Sequence, residues 1–416
     1  MDRQPLETPF AIPDENPAPL RGRQAVAADL ADWLRFALTP VGPARQHSLL
    51  AAFGLPGNIF AQSRSRLASV AGHEAADALL REPDPAALET ALAWADEAGN
   101  HVLTLADAAY PQSLLEIADP PPVLYVKGDP ALLARPALAM VGSRAPTAQG
   151  EANARAFADS LGAAGLVIVS GLAQGIDTAA HRGALAVEEG GTIAVIGTGI
   201  DRVYPARNAA LAREIADRGV ILSEFPLGTP PTRWNFPRRN RLIAGLSLGV
   251  LVVEATLESG SLITARLAAE AGREVFAIPG SIHSPQSRGC HRLIREGAKL
   301  VETAEDVFEE LRSRIDGDLP RRAAASRHAS SRPRQSTPAA SRTLPVAVPA
   351  HLAPEAIHVL EALGGEARDI DTLALATGFA VEALHTHLLT LELEGLVARQ
   401  TGGGFLRLHV DAARVT

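Results

Sequence analysis

Residues 137–144, Ala-Leu-Ala-Met-Val-Gly-Ser-Arg, set a pattern that recurs through the middle of the chain. Five apolar residues, a length typical of a strand buried on both faces, lead into a polar turn with glycine, and a helical pattern follows. Similar apolar runs occupy residues 166–169, 192–196, 220–223 and 274–278, with a further run at 250–253. Strands that alternate with helices predict an α/β fold built on a doubly wound, mostly parallel sheet.

The turns that follow these strands are expected to build a ligand site. Loops that leave the carboxyl ends of parallel strands gather at one edge of the sheet and line a crevice there. Several of these turns combine glycine or serine with a helix start, and two bring arginine. Because helix N-termini and guanidinium groups both bind phosphate, this edge predicts a site for a nucleotide or a nucleic acid.

The rest of the chain divides by composition. Residues 1–24, rich in proline and charge, predict a disordered tail, and residues 25–105 a small helical domain. A glycine turn in that domain suits a sterile-alpha-motif or helix-hairpin-helix-like fold, but with one glycine a purely structural turn is favoured over a DNA contact. The sheet core is expected at 106–312, a flexible linker rich in Arg, Ser and Pro at 313–349, and a further domain at 350–416.

The last domain has the pattern of a winged helix. Helices are predicted at residues 354–363, 370–376 and 381–394, and a glycine-centred hairpin completes the domain. The third helix, which would be the recognition helix, offers Glu382, His385, His387, Glu392 and Glu394 and no arginine. Such a face repels phosphate, so protein docking or dimer packing suits it at least as well as DNA binding.

Composition limits the class of protein. The 416 residues carry a net charge of −8, so a broadly basic surface for duplex DNA is excluded and any nucleic-acid contact must be local. The single cysteine, Cys290, excludes an intramolecular disulfide framework and fits a reducing cytoplasm. No apolar run is long enough to cross a bilayer, and the N-terminal segment lacks the apolar core of a secretory signal.

The spacing of residues excludes three common enzyme motifs: the P-loop, the dinucleotide-binding fingerprint and the nucleophile elbow. The chain has two lysines, Lys127 and Lys299, and neither follows a glycine in the P-loop frame. Arg202 stands where a dinucleotide fingerprint needs its third glycine, and no GxSxG elbow occurs. Asp177 and His181, four residues apart on one predicted helix, could orient a general base or stabilise the turn. The structural role is favoured because no nucleophile lies beside them in the sequence.

The arginines are stronger evidence. Arg144 directly follows the first strand of the predicted sheet, and three arginines cluster at residues 238–241, just after Trp234 and Phe236. Arginines interleaved with aromatic rings are typical of single-strand binding, in which charge follows the backbone and rings stack on bases at ~1–3 kcal/mol each. Whether Trp234 stacks on a base or anchors its loop in the core stays open, and Phe236 is compatible with both roles.

An ordered set of short runs resembles one family, the bacterial DNA-processing protein A (DprA/Smf) family. The runs are residues 110–111, 121–128, 141–144, 170–177, 180–181, 197–201, 204–205, 208, 223–224, 236–247, 254–255, 259–265 and 279–280. Together they cover roughly residues 110–310 in the family's order. The flanking helical segments resemble family modules less sharply.

The resemblance implies a Rossmann-like core that forms a homodimer, binds single-stranded DNA in a basic pocket and loads the RecA recombinase during natural transformation. Single-strand-binding protein is a further expected partner, and no membrane contact, cofactor, metal or catalytic residue is implied. DNA contacts are expected from Ser143, Arg144, Ser170, Gly171, Gly175, Gly199, Phe236, Arg238, Arg239, Asn240, Arg241, Ser259 and Ser261. Supporting structural roles are expected for Asp177, His181, Asp201 and Glu254.

Two other functions remain to be weighed. A Rossmann-like nucleotide phosphoribohydrolase would place a carboxylate such as Glu254 near a strand end, although the run Gly-Gly-x-Gly-Thr-x-x-Glu typical of such enzymes does not occur. A winged-helix transcription factor is disfavoured by the acidic third helix.

Overall fold

The computed structural model describes residues 20–188, 190–315, 352–364, 368–394, 396–399 and 404–407. Most of the predicted tail at 1–24 and of the predicted linker at 313–349 lies outside these residues. The chain divides into two compact units, Met1–Trp94 and Ala95–Thr416. Within the described residues, no helix combines the length and the apolarity needed to span a membrane.

The described regular elements of the first unit are all helices. Its helices are α1 (Leu20–Leu38), α2 (Pro43–Phe53), α3 (Pro56–Phe60), α4 (Arg64–Ala71), α5 (His73–Leu80) and α6 (Pro85–Ala95). Proline opens α2 and α3, where the missing N–H would have no partner within the helix. Leu49, Ile59 and Leu67 are fully buried in the core that these helices share.

The second unit contains the predicted sheet. Its strands are β1 (Asn100–Thr104), β2 (Val123–Gly128), β3 (Ala137–Val141), β4 (Val167–Ser170), β5 (Gly191–Val195), β6 (Val220–Ser223), β7 (Gly249–Val252), β8 (Glu274–Ala277) and β9 (Lys299–Leu300). Its helices are α7 (Ala148–Ala163), α8 (Ile176–Ala186), α9 (Ala209–Arg218), α10 (Asn235–Gly245), α11 (Ser261–Glu270), α12 (Arg288–Arg295) and α13 (Ala304–Ile315).

The strands lie in the order β1-β2-β6-β5-β4-β3-β7-β8-β9. Pairing is parallel from β6 to β9, and only β1 and β2 are joined antiparallel to their neighbours within the described sheet. Every residue of β3 is buried because this central strand has helices on both faces, which explains its continuous apolar run. The doubly wound, mostly parallel fold predicted from the sequence is confirmed.

The order of the strands creates a reversal point beside β3. The chain first runs outward from β3 through β4 and β5 to β6, and then returns to the other side of β3 with β7. Since crossovers between parallel strands are right-handed, the reversal moves the later helices to the opposite face of the sheet. The apolar residues of the crossover helices α7 and α8 accordingly share one core, and those of α10, α11 and α12 share the other. Helix α13 follows the last strand, is not a crossover helix, and packs in the core of α7 and α8.

The C-terminal helices and hairpin form the predicted winged helix. The elements are α14 (Pro354–Leu363), α15 (Ile370–Thr377), α16 (Val381–Leu393), β10 (Val397–Arg399) and β11 (Phe405–Arg407). Asp369 caps α15 by accepting a hydrogen bond from the Thr372 amide at 2.7 Å, and Gly378 ends the helix with a φ of 72°. Val359, Leu373 and Leu388 lie in its buried core.

The elements of the second unit that were not individually predicted include β1, β9 and α13. Strand β1 lies inside the segment assigned to the helical domain, yet it pairs with β2 and extends the sheet. Strand β9 has two residues, and both are exposed. Helix α13 follows it and packs against the face that carries α7 and α8.

Candidate nucleic-acid interface

A cavity of about 500 Å³ opens at the reversal point, at the carboxyl ends of β3 and β7. We call this cavity the crevice. Eight residues predicted from the sequence line it: Ser143, Arg144, Asp177, Phe236, Arg239, Asn240, Ser259 and Ser261. The turns after β3 and β7 and the first half of α10 therefore converge as the parallel-sheet argument requires.

Three turns joined by hydrogen bonds form the wall of the crevice. Ser261 at the start of α11 donates a hydrogen bond to the Gly142 carbonyl at 2.8 Å, which joins the turns after β7 and β3. The Ile176 amide bonds the Ser143 carbonyl at 3.1 Å, which joins the turn after β4 to the same point. Gly175 has a φ of 82°, and a Cβ there would lie 2.7 Å from Pro146 Cδ, so the close approach requires glycine.

Arg144 projects from this rigid turn. Its side chain is exposed, and its guanidinium carbon lies 5.8 Å from the centroid of the Phe236 ring. No carboxylate pairs with it in the described part of the chain. An unpaired guanidinium beside an aromatic ring can bind a phosphate while the ring contacts a base.

Arg239 lies on the floor of the crevice and is buried. Its Nη1 donates to the Gly171 carbonyl at 2.7 Å and to the Val195 carbonyl, so the side chain links the ends of β4 and β5. A Cβ on Gly171 would lie 2.7 Å from the guanidinium carbon. Burial lowers the pKa of Arg239 to about 10, partly offset by Asp177, so the group remains charged at neutral pH.

Asp177 and His181 have separate environments. Asp177 lines the crevice, and its Oδ2 accepts hydrogen bonds from the Gly171 and Ala173 amides at 3.0 and 3.2 Å, which orders the turn after β4. Burial raises the pKa of this carboxyl, and Arg239 opposes the shift.

His181 is fully buried, with Nδ1 2.7 Å from Thr192 Oγ1. The threonine donates its hydrogen to the Ile168 carbonyl at 2.8 Å, so Nδ1 must carry the proton and donate. Burial lowers the pKa of His181 to about 3, and the ring is neutral at physiological pH. A neutral ring that joins α8 to β5 supports the structural role favoured for this pair.

Arg238 and Arg241 have a different partner. Both guanidinium groups bond Oε2 of Glu224, whose carboxylate is buried, and Arg238 does so at 3.1 Å. Arg241 also donates to the Asp119 carbonyl at 2.8 Å. Neither arginine lines the crevice. The arginine cluster predicted at 238–241 is thus divided, with Arg239 and Asn240 in the crevice and the other two held by Glu224.

Several other predicted residues support the loops around the crevice. Ser170 is buried and donates to the Met140 carbonyl at 2.7 Å. Gly199 makes room for Asp201, whose carboxylate accepts from the Gly228 amide at 2.8 Å. Neither Gly199 nor Ser170 lines the crevice.

Glu254 fills the N-terminus of α7. Its Oε2 accepts from the Thr147 amide at 2.9 Å and its Oε1 from the Thr147 hydroxyl at 2.5 Å. A Cβ on Gly150, in the first turn of α7, would lie 2.5 Å from Oε2. Burial raises the pKa of Glu254, opposed by its bonds to Thr147. The helix N-terminus at which a nucleotide phosphate commonly binds already holds a carboxylate of this chain.

A second cavity of about 160 Å³ adjoins the crevice and shares the walls formed by Arg144, Phe236 and Arg239. It adds Tyr204 and Arg207, which were not among the predicted site residues. The Tyr204 ring lies 5.6 Å from that of Phe236. Residues 204–207 repeat the aromatic–arginine pattern used to find Phe236, so the same signal could have identified them.

The charge of the lining residues distinguishes the crevice and its neighbour from a larger cavity elsewhere in the second unit. The linings of the crevice and its neighbour contain the guanidinium groups of Arg144, Arg207 and Arg239 and one carboxylate, that of Asp177. A groove of about 740 Å³ between α11 and α12 also contains arginines, but Arg266 and Arg292 pair with the glutamates four residues on. The crevice and its neighbour therefore have an excess of positive charge, which the glutamate pairs reduce in the larger groove.

Comparison with known proteins gives consistent matches. The family model described as DNA recombination-mediator protein A matches residues 101–312, and the DprA winged helix domain model matches residues 343–403. Protein Smf of Escherichia coli is 42% identical over 325 residues, 77% of this chain and 81% of the relative. DNA processing protein DprA of Streptococcus pneumoniae is 52% identical over 208 residues, 50% of this chain and 73% of the relative.

A solved structure also resembles this chain. The X-ray structure of DNA processing protein A from Streptococcus pneumoniae has a TM-score of 0.60 and 39% sequence identity, and the match covers 68% of this chain and 97% of that one.

Proposed function

Because the chain belongs to the DNA recombination-mediator protein A family, we propose that it binds single-stranded DNA in the crevice and delivers the strand to a RecA recombinase. In this proposal the protein is a binder rather than an enzyme. It protects incoming strands during natural transformation or general recombination and acts in the cytoplasm.

One observation carries the DNA-binding part of the proposal. The exposed guanidinium of Arg144 lies over Phe236, and Tyr204 continues the aromatic surface. A flexible strand can place its phosphates on the arginines while unpaired bases reach the rings. A duplex keeps its base faces stacked inside the helix, so the aromatic surface favours single strands.

A catalytic role in the same crevice is disfavoured. Glu254, the carboxylate that a phosphoribohydrolase would use, is bonded to Thr147 and occupies the N-terminus of α7. Assay for free base after incubation with nucleoside monophosphates is the corresponding test, and we expect no release.

Exposed apolar side chains near the edge of the sheet support the expected homodimer. Leu257 and Leu300 are nearly half exposed, and both line one shallow cavity with Ile294. Leu300 belongs to β9, the edge of the described sheet. An exposed apolar patch beside a strand edge is a common self-association surface, and we propose that a second copy binds here.

The function is tested by two assays in sequence. Fluorescence anisotropy with labelled oligo-dT and a matching duplex measures DNA preference, and we expect tighter binding to the single strand. Assembly of RecA filaments on strands coated with single-strand-binding protein then measures delivery, and we expect faster assembly when this protein is present. Tight strand binding without faster assembly would contradict the delivery step alone.

A further inference from the structure

Trp234 is a large aromatic side chain that the fold leaves in solvent. It is 71% exposed, whereas Trp33 and Trp94 are buried. It immediately precedes α10, two residues before Phe236, which lines both the crevice and the adjoining cavity. This degree of exposure answers the question left open by the sequence, because a ring that anchored its loop in the core would be buried.

The ring is held by an ordered loop. The Asn235 side chain donates to the Gly197 carbonyl at 3.0 Å and to the Pro230 carbonyl at 3.3 Å, and its backbone amide bonds the Thr232 carbonyl at 3.1 Å. These bonds tie the residue next to Trp234 both to the end of β5 and to its own loop. The indole is therefore carried on a fixed backbone, which lowers the entropy lost when a ligand binds it.

The ring already has a cation on one face. The guanidinium carbon of Arg233 lies 4.5 Å from the centroid of the Trp234 ring, and Arg233 is itself exposed. A cation over an indole is a favourable arrangement. It leaves the opposite face of the ring for a flat apolar ligand and places a positive charge beside that ligand.

We propose that Trp234 and Arg233 form a nucleobase-binding subsite outside the crevice, in which a base stacks on the indole and its phosphate contacts the guanidinium. The subsite rests on the proposed function and extends it. Consecutive Cα atoms are 3.8 Å apart, so Trp234 lies within about 8 Å of Phe236 along the backbone. The adjoining nucleotides of a strand that binds over Phe236 are therefore within reach of Trp234.

Tryptophan fluorescence tests the subsite directly, because Trp234 is the exposed one of the three tryptophans. Titration of the full chain with oligo-dT should quench the emission. Trp234→Ala should weaken binding about fivefold and Trp234→Phe less than twofold, since a phenyl ring still stacks. An oligo-dT series with a single abasic nucleotide at successive positions then locates the contact. At one position, the loss of the base should make wild type and Trp234→Ala bind equally.

The outcomes separate this inference from the function on which it rests. Unquenched emission together with unchanged affinity of Trp234→Ala would overturn the subsite, and the function would stand if Arg144→Ala still weakened binding. A loss for Trp234→Ala that is the same for every abasic position would also overturn it, because the ring would then act through the loop. Failure of the wild-type chain to bind any oligo-dT would reject the function itself.

Discussion

The crevice and the winged helix differ in the charges that they offer to DNA. Arg144 and Arg207 extend from the walls of the crevice and the adjoining cavity, whereas residues 352–407 contain eight carboxylates against three arginines. On α16 the exposed side chains include Val381, Glu382 and Leu389. A fold known for DNA binding thus has an acidic and apolar recognition helix, while a Rossmann-like sheet holds the cations. Unpaired positive charge, rather than the type of motif, is therefore the basis on which we propose the site.

Several polar side chains of α16 also form hydrogen bonds with the backbone of the same helix. The hydroxyls of Thr386 and Thr390 donate to carbonyls of α16 one turn earlier, at 3.1 and 2.9 Å, and His385 Nδ1 lies 3.0 Å from the Val381 carbonyl. Leu375 on α15 is 89% exposed. Such a surface suits protein contacts better than phosphate contacts.

The largest change in stability is expected for a substitution of Arg239 on the floor of the crevice, because its charged side chain is buried in the core. Arg239→Ala removes the donor to two buried carbonyls and leaves Asp177 without its cation, so the free energy of unfolding should fall by about 3 kcal/mol. Urea denaturation measures the change.

Arg238→Ala is the matched control for that variant. Its guanidinium is half exposed, and Glu224 keeps Arg241 as a partner, so we expect a loss of about 1 kcal/mol or less. Equal losses in the two variants would contradict the structural distinction between the arginines.

Low pH should destabilise the second unit because the buried His181 ring resists protonation. Its folded pKa of about 3 lies below the ordinary 6.5, so the unfolded chain takes up a proton first as the pH falls. Stability from this group is complete above pH 6.5 and is lost below it, by about 2 kcal/mol at pH 5. Unfolding curves at pH 7 and pH 5 for wild type and His181→Asn measure it, and the variant should lack that part of the pH dependence. An identical pH dependence in both proteins would contradict the buried, neutral ring.

The wall of the crevice should govern affinity. Arg144→Ala should weaken oligo-dT binding about tenfold and reduce the slope of log K against log salt by about 0.7, the value for one phosphate contact on a single strand. Stability should not change, since the side chain is exposed.

Arg155→Ala removes the same charge from an exposed position on α7 and serves as the control. Its salt slope should equal that of the wild type. Matching losses in both variants would mean that net charge, and not the crevice, sets affinity.

The smallest change in oligo-dT affinity is expected for substitutions on α16. The double variant Glu382→Gln and Glu392→Gln removes two exposed carboxylates from the winged helix. Oligo-dT affinity should change less than twofold, because long-range repulsion from exposed charges is screened by salt. A gain of tenfold would show that DNA approaches this helix and would overturn the comparison.

The sequence predicted the sheet well because the strands β3 to β8 are short apolar runs bounded by turns. It also predicted that Arg144 lies at the carboxyl end of β3, because this position follows from the alternating pattern alone. Its contact with DNA stays a prediction. The pairing of Arg238 and Arg241 with Glu224 could not be predicted, since it depends on how the end of β6 meets α10 in three dimensions. Strand β1 was missed because its five residues mix polar and apolar side chains and contact the sheet through one neighbour.

The central claim is that unpaired DNA lies across the crevice and not on the winged helix. Photocrosslinking of the full chain to an oligonucleotide that carries 5-iodouracil, followed by peptide mass spectrometry, tests it most directly. We predict adducts at Tyr204, Trp234 or Phe236 and none within Val381–Leu393. Adducts confined to Val381–Leu393, with Tyr204, Trp234 and Phe236 unmodified, would contradict the claim.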